Sequence, residues 1–233
     1  MRNSRGFKPK LIWASFWMGL AGPGPGGRLA TRLASLFTRP YRARYRLAKL
    51  NSKGYLSPSA SLSHSQLKLG RHCFIGDRVI VFEASGGGAI DIADDVHINL
   101  DCILETGEGG HISVAEGTRI QGRCQFSAYK GQIVIGRDVQ VAPNCAFYPY
   151  DHAFTRGELV KRQDLRSRGG IVIGDDVWIG FGVIVLDGAT IGDGAIVGAG
   201  SVVRSTIPEN AIAVGTPARV VGYRKDPDER AEN

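Results

Sequence analysis

From Ile173 onward an aliphatic residue returns every six positions, at Ile173, Ile179, Val185, Ile191, Val197 and Val203. Glycine follows directly at Gly174, Gly180, Gly192 and Gly198. A small or β-branched residue stands four places after each start, at Val177, Val183, Ala189, Ala195 and Ser201. Neither the 3.6-residue turn of an α-helix nor the two-residue alternation of an ordinary strand produces a six-residue period. A triangular coil of three short strands does, because it takes about 18 residues per turn, one inward aliphatic residue per face and small residues where the corners tighten. The chain is therefore expected to wind as a parallel β-helix.

The same register continues backwards if loops are allowed at one corner: Leu69, Ile75, Val81; Ile92, Ile98, Leu104; Val114, Ile120, Phe126; Ile135, Val141, Phe147. Successive coil starts at Leu69, Ile92, Val114, Ile135 and Ile173 lie 23, 22, 21 and 38 residues apart. The early insertions are short and glycine-rich, and the last adds about 20 residues to the repeat. About six coils at a strand spacing of about 4.8 Å give a prism roughly 25 to 30 Å tall. A glycine count of 32 in 233 residues fits this demand for side-chain-free corners.

The register also places the four cysteines. Cys73 is the fourth residue after a start on one face. Cys102, Cys124 and Cys145 hold that position on another face of three successive coils, between Val79 and Val183. They are expected to form an inward ladder of small apolar groups. No CxxC pair is present, and stacked coils do not give the tetrahedral convergence that zinc requires. No metal site is expected.

The stretch IVIGDDVWIGFGVIVLDGATIGDGAIVGAGSVV (171–203), followed by IPENAIAVGTPARVV (207–221) and preceded by VAPNCAFYPYDH (141–152), resembles the hexapeptide-repeat acyltransferases, in the branch of sugar O-acetyltransferases and xenobiotic acetyltransferases. The likeness covers about residues 67–222. It implies a left-handed β-helix, whose hand comes from the family because right-handed crossovers are otherwise the rule. It also implies a homotrimer with active sites between neighbouring prisms, and acetyl-CoA as acyl donor.

Acyl transfer from a thioester to a hydroxyl needs a base for the alcohol proton and a donor for the developing oxyanion. His152 ends a coil immediately before the long insertion and lies eight residues after Asn144, matching the family's spacing to its catalytic histidine. It is the expected base. His64, His72, His97 and His111 are expected on solvated corners or loops. By resemblance, Trp178, Gly180, Ala199, Arg204 and Arg219 match positions lining the family's pantetheine and nucleotide groove. Arg204-Ser205 departs from its usual Thr-Lys. The acceptor side is assigned to Asn144, Tyr148, Tyr150 and Lys130, with Tyr129 beside them. In galactoside-type members an Asn and an Asp one coil before the base contact the sugar. Gly122 and Lys130 stand there in this chain, which argues against a simple galactoside. The insertion at 153–170, with Arg156, Lys161, Arg162, Arg166 and Arg168, reads as a lid for an anionic group.

Charge divides the chain. Residues 1–60 hold 12 of the 29 Lys and Arg and no Asp or Glu, leaving 17 basic against 22 acidic residues in the remainder. Residues 1–55 also leave the hexapeptide register. Lys8 and Lys10 precede an apolar run with Trp13 and Trp17. A Gly/Pro break follows at 22–27, and Leu29, Leu33, Phe37, Tyr41 and Tyr45 then recur every four residues across Arg28–Leu50. That last segment reads as a basic amphipathic helix kinked at Pro40. Two readings stand for the arm: peripheral contact with an anionic membrane, or packing against the trimer. Nucleic acid is not an expected partner. The longest uncharged apolar stretch, Leu11–Pro25, contains three Gly and two Pro and falls short of the ~20 residues a membrane span needs. No secretory signal is read, so a cytoplasmic location is expected, at most peripheral to the inner face of the membrane.

The expected division is thus a helical arm at 1–55, a β-helix domain at 56–222 and a polar tail at 223–233. The leading functional expectation is an acetyl-CoA-dependent O-acetyltransferase acting on a sugar of a surface polysaccharide or lipid-linked precursor. The alternatives are an N-acetyltransferase of an amino sugar and a non-catalytic β-helix scaffold.

Overall fold

The computed structural model describes residues 7–38 and 41–225. Three sheets of short, parallel strands run along a left-handed β-helix of about seven coils. Every aliphatic position from Ile75 to Val203 named by the six-residue register is buried. In-register pairing, such as Arg119 with Gln140 and Ile120 with Val141, stacks like on like from coil to coil. Phe126 and Phe147 lie in one such column with rings parallel, 4.4 Å between centroids. Burying each large side chain contributes about 1.5 to 3 kcal/mol, so the column of aliphatic and aromatic groups along the axis is the main source of stability.

The winding begins one coil earlier than the register suggests. On the first face Tyr55–Leu56 pairs with Phe74–Ile75, and on the second face Ser61–Ser63 pairs with Ile80–Phe82. Leu56, Leu62 and Leu69 are the inward residues of this first coil, but their spacing is six and then seven, and no glycine follows Leu56 or Leu62. At the other end Ala211–Gly215 and Ala218–Tyr223 form an antiparallel hairpin added to the first face. Arg224 anchors its exit by donating to Asp176 at 2.7 Å and to the Gly194 carbonyl at 3.0 Å.

The cysteines form the expected ladder. All four are free and at most 1% exposed. Cys102, Cys124 and Cys145 lie between Val79 and Val183, and each sulfur approaches a carbonyl of the next coil at 3.1 to 3.2 Å.

The arm folds differently from the single amphipathic helix expected over Arg28–Leu50. Helix α1 spans Phe7–Gly19 and α2 spans Pro25–Ala34. Tight turns at Ser35–Phe37 and Tyr41–Arg44 follow, then the short α3, Tyr45–Ala48. The Ser35 hydroxyl donates to the Thr31 carbonyl at 2.8 Å and the Thr38 hydroxyl to the Ser35 carbonyl at 2.9 Å, so local side-chain bonds compete with helix continuation. The expected kink at Pro40 lies outside the described residues. The buried stripe of α2 is Ala30, Thr31 and Ala34, while Leu29 and Phe37 are each about half exposed. Small residues win the inner side because α1 packs closely there, with the Trp13 indole donating to the Leu33 carbonyl at 2.9 Å.

The arm also docks on its own prism. Tyr41, Tyr45 and Tyr55 surround Phe74, with centroid distances of 5.9, 4.7 and 4.9 Å. The Tyr45 hydroxyl donates to Asn99, Lys49 pairs with Asp95, and Arg44 meets Asp77 at 2.9 Å. No helix among the described residues is long and apolar enough to cross a membrane.

Candidate active site

The long insertion leaves the prism at Pro149 and returns at Gly170. It is ordered by its own hydrogen bonds. Asp151–His152 pairs antiparallel with Leu165–Arg166. The Gln163 amide accepts the Thr155 N–H at 2.7 Å and donates to the carbonyls of Thr155 and Glu158 at 3.1 and 3.0 Å. The return strand is pinned to the next coil by Asp187, a carboxylate only 1% exposed. Asp187 accepts from the Ser167 hydroxyl at 3.0 Å and from the backbone N–H groups of Arg168 and Gly170 at 2.5 and 3.0 Å. Arg168 also reaches Asp151 at 3.4 Å. His152 therefore sits, exposed, on a two-stranded ribbon held at both ends.

A polar and aromatic wall leads up to that ribbon. Ser127, buried, donates its hydroxyl to the Glu105 carboxylate, which leaves it free to accept from the Tyr150 O–H at 3.4 Å. Tyr150 lies 5.4 Å from the Tyr129 ring and 6.0 Å from that of Tyr148. Partial burial, reinforced by neighbouring Glu105 and Tyr150, pushes the Tyr129 and Tyr148 hydroxyls above their usual range. Both remain neutral donors near pH 7.

Lys130 lies at the same corner but is occupied: it pairs with Glu108, the cause of its raised pKa. It adopts a left-handed backbone, φ 56°. Asn144 is also a left-handed corner residue, φ 62°, and its side-chain oxygen accepts from Arg123 at 3.0 Å. The positions matched to the nucleotide groove lie elsewhere. Trp178 is half-exposed on the first face, in register with Gln140 and Ile196. Gly180 and Ala199 follow at the next corner, where a Cβ on Gly180 would stand 2.7 Å from the Ala199 nitrogen. Arg204 is exposed beyond the second face, and Arg219 is exposed on the C-terminal hairpin. Within one chain the structure groups His152, Tyr148, Tyr150 and Lys130 about one corner, and Trp178, Gly180, Ala199 and Asn144 about another. The two groups lie on different corners of a single prism.

Two of the other histidines depart from the solvated positions expected for them. The His64 side chain is fully buried, its Nε2 bonded to the Thr106 hydroxyl at 2.9 Å and its Nδ1 accepting from Gln66 N–H at 3.1 Å. His97 is 4% exposed, wedged between Tyr45 and Phe74, with Arg119 donating to its Nδ1 at 2.9 Å. The short inserts and the docked arm cover both, and neither effect is visible in a local window.

Residues 170–205 match the family model described as bacterial transferase hexapeptide (six repeats). A Mycobacterium tuberculosis protein named as a probable acetyltransferase, Rv3034c, is 32% identical over 161 residues, 69% of this chain and 45% of its own length. By this repeat the chain resembles the hexapeptide-repeat transferases. The galactoside O-acetyltransferase of Escherichia coli is 40% identical over 96 residues, 41% of this chain and 46% of that protein. The crystal structure of the polysialic acid O-acetyltransferase OatWY shares the fold, with a TM-score of 0.55 at 22% identity, covering 73% of this chain and 87% of that one. The chain spans about half the length of most curated relatives it matches.

Sequence reasoning overlooked Glu105, Ser127 and Asp187. The last was open to detection. An acid at Leu186-Asp187-Gly188, in a corner otherwise built from small residues, falls one coil after the insertion leaves the prism, where the returning chain must pass.

Proposed function

We propose that the protein transfers an acetyl group from acetyl-CoA to a hydroxyl of a sugar, with His152 as general base. The observation that carries this reading is the placement of an exposed histidine on a braced ribbon beside the Glu105–Ser127–Tyr150 wall. Rings and a carboxylate together suit a polyhydroxylated acceptor: tyrosines pack on the sugar's C–H face, and Glu105 accepts from hydroxyls. In the step itself His152 removes the acceptor O–H proton as the oxygen bonds to the thioester carbonyl carbon. The tetrahedral intermediate then collapses, the C–S bond breaks, and the proton passes from His152 to the departing CoA sulfur.

The groove half of the reading rests on Trp178, Gly180, Ala199, Arg204 and Arg219. Because these lie apart from His152 within one prism, a homotrimer in which a neighbour's groove meets this chain's His152 corner completes the site. Names of relatives, a galactoside O-acetyltransferase and a protein named as the lipopolysaccharide biosynthesis O-acetyl transferase WbbJ, support the class of acceptor, a surface glycan or its precursor. The basic arm adds a peripheral attachment to an anionic membrane surface, where a lipid-linked precursor would be met.

The deciding experiment measures thiol release from acetyl-CoA against a panel of neutral, acidic and amino sugars, with the product's acetyl linkage read by NMR. An O-acetyl product lost in His152→Ala is expected. An N-acetyl product from an amino sugar would replace the acceptor class, and absence of CoA binding in calorimetry would leave only a scaffold.

A further inference from the structure

Between α1, α2 and α3 lies a cavity of about 250 Å³, walled by Leu11, Ala34, Phe37, Leu47 and Leu50. Among the described residues its charged lining is Lys10 and Arg46, both exposed, and no acid lines it. The apolar surface continues outside: Ile12, Phe16, Leu20 and Leu36 are each more than half exposed on the same helical layer. A cavity this small is below the usual size of a drug-like ligand site, and its walls offer an apolar chain much and a polar ring little.

We propose that this cavity receives one acyl chain of an anionic phospholipid from a bilayer surface, with Lys10 and Arg46 meeting the phosphate at its mouth. The inference deepens the peripheral-membrane reading and rests on it. Charge selects the occupant. Residues 1–60 carry twelve basic residues and no acidic one, so a second arm brought against this layer would set like charges face to face. A sheet of phosphates has the complementary sign, and each cation near it adds about 1 kcal/mol of attraction. Each methylene withdrawn into the cavity would remain in apolar surroundings, so insertion does not forfeit the burial it had in the bilayer.

Trp13 makes the inference measurable, because its ring lies edge-on to Phe37 at 6.0 Å and so borders the cavity wall. The full chain is mixed at low salt with vesicles of phosphatidylglycerol and phosphatidylcholine carrying bromine on mid-chain carbons. Tryptophan emission and co-sedimentation are read together, with unbrominated vesicles as reference; Trp17 and Trp178 emit in every variant, so the comparison between variants isolates the change at the cavity. Bromine-dependent quenching is expected. Ala43→Phe, which fills the cavity, should abolish most of it while the protein still sediments, and Ala43→Leu, a milder filling, should fall between. Sedimentation with quenching unchanged in both variants would overturn the cavity while leaving membrane attachment standing. Failure of the unaltered chain to sediment would overturn both, and is the result expected if a neighbouring prism covers this layer.

Discussion

The carboxylate of Asp187 accepts the backbone N–H of Arg168 at 2.5 Å, and the guanidinium of that same arginine reaches Asp151, the residue before the candidate base, at 3.4 Å. A buried acid on one coil thus determines where the returning end of a long insertion lies, and through it the ribbon that carries His152. A misplacement of about 1 Å at a reacting group can lower turnover on the order of 100-fold.

Asp187→Ala should therefore lower turnover by roughly 10- to 100-fold with little change in CoA affinity. Losing the acceptor also leaves the buried Gly170 N–H unpaired, at about 1 to 3 kcal/mol. Asp187→Asn, which keeps one acceptor oxygen, should recover part of the loss. Limited proteolysis within residues 153–170 should quicken in the Ala variant. Equal cleavage rates in both variants and the unaltered chain would show that the pin does not hold the insertion.

His152→Ala removes only a solvent-facing ring, so the melting temperature should stay within a degree or two while turnover falls by about 10² to 10³-fold, the scale of lost general-base catalysis. Unchanged turnover would take His152 out of the mechanism.

For the cysteine ladder the physical case is burial without charge partners. Burial pushes the Cys73 thiol up to about 11. Contact with the Cys102 thiol, and then burial, push Cys124 up to about 12, and contact with Cys124 raises Cys145 as well. The thiolate is the reactive form, so a charged thiol reagent at pH 8 should label none of the four until denaturant is added. Fast labelling of Cys102, Cys124 or Cys145 in the folded protein would break the register on which the fold rests.

The coil register, the ladder and the corner that carries His152 are all legible in the amino-acid sequence, because a six-residue period is unlike any other and each residue's face follows from counting. The first coil is hidden because one extra residue between Leu62 and Leu69 interrupts the period and serines replace its glycines. The arm is hidden for a different reason. Its most apolar line, Leu29, Leu33 and Phe37, is the natural choice for an inner face, yet close approach of α1 to α2 favours Ala30 and Ala34 there. Asp187, Glu105 and the burial of His97 depend on partners about twenty or more residues away, and pairing at that distance has no local signature.

His97 supplies the last prediction. Its ring is held between Tyr45 of the arm and Phe74 of the prism, its Nδ1 accepts from Arg119, and its Nε2 is buried without a hydrogen-bond partner among the described residues. Burial first, then the positive charges of Arg119 and Lys49, lower its pKa from 6.5 to about 4, against a smaller opposing effect of Asp95. Above pH 6.5 the imidazole is neutral in both folded and unfolded chains and contributes no pH dependence. As the pH falls from 6.5 towards 4, the unfolded chain takes up a proton that the folded chain refuses, so stability drops, by up to about 3 kcal/mol. The loss should be felt first where the ring sits, at the contact of arm and prism, with Trp13 and Trp17 emission shifting before the β-helix itself unfolds. Urea titrations at pH 7.5 and pH 5 of the unaltered protein and of His97→Gln, whose amide oxygen can still accept from Arg119, measure this directly. The unaltered chain should lose markedly more stability between the two pH values than the variant. Equal losses would mean that some group other than His97 senses the acid.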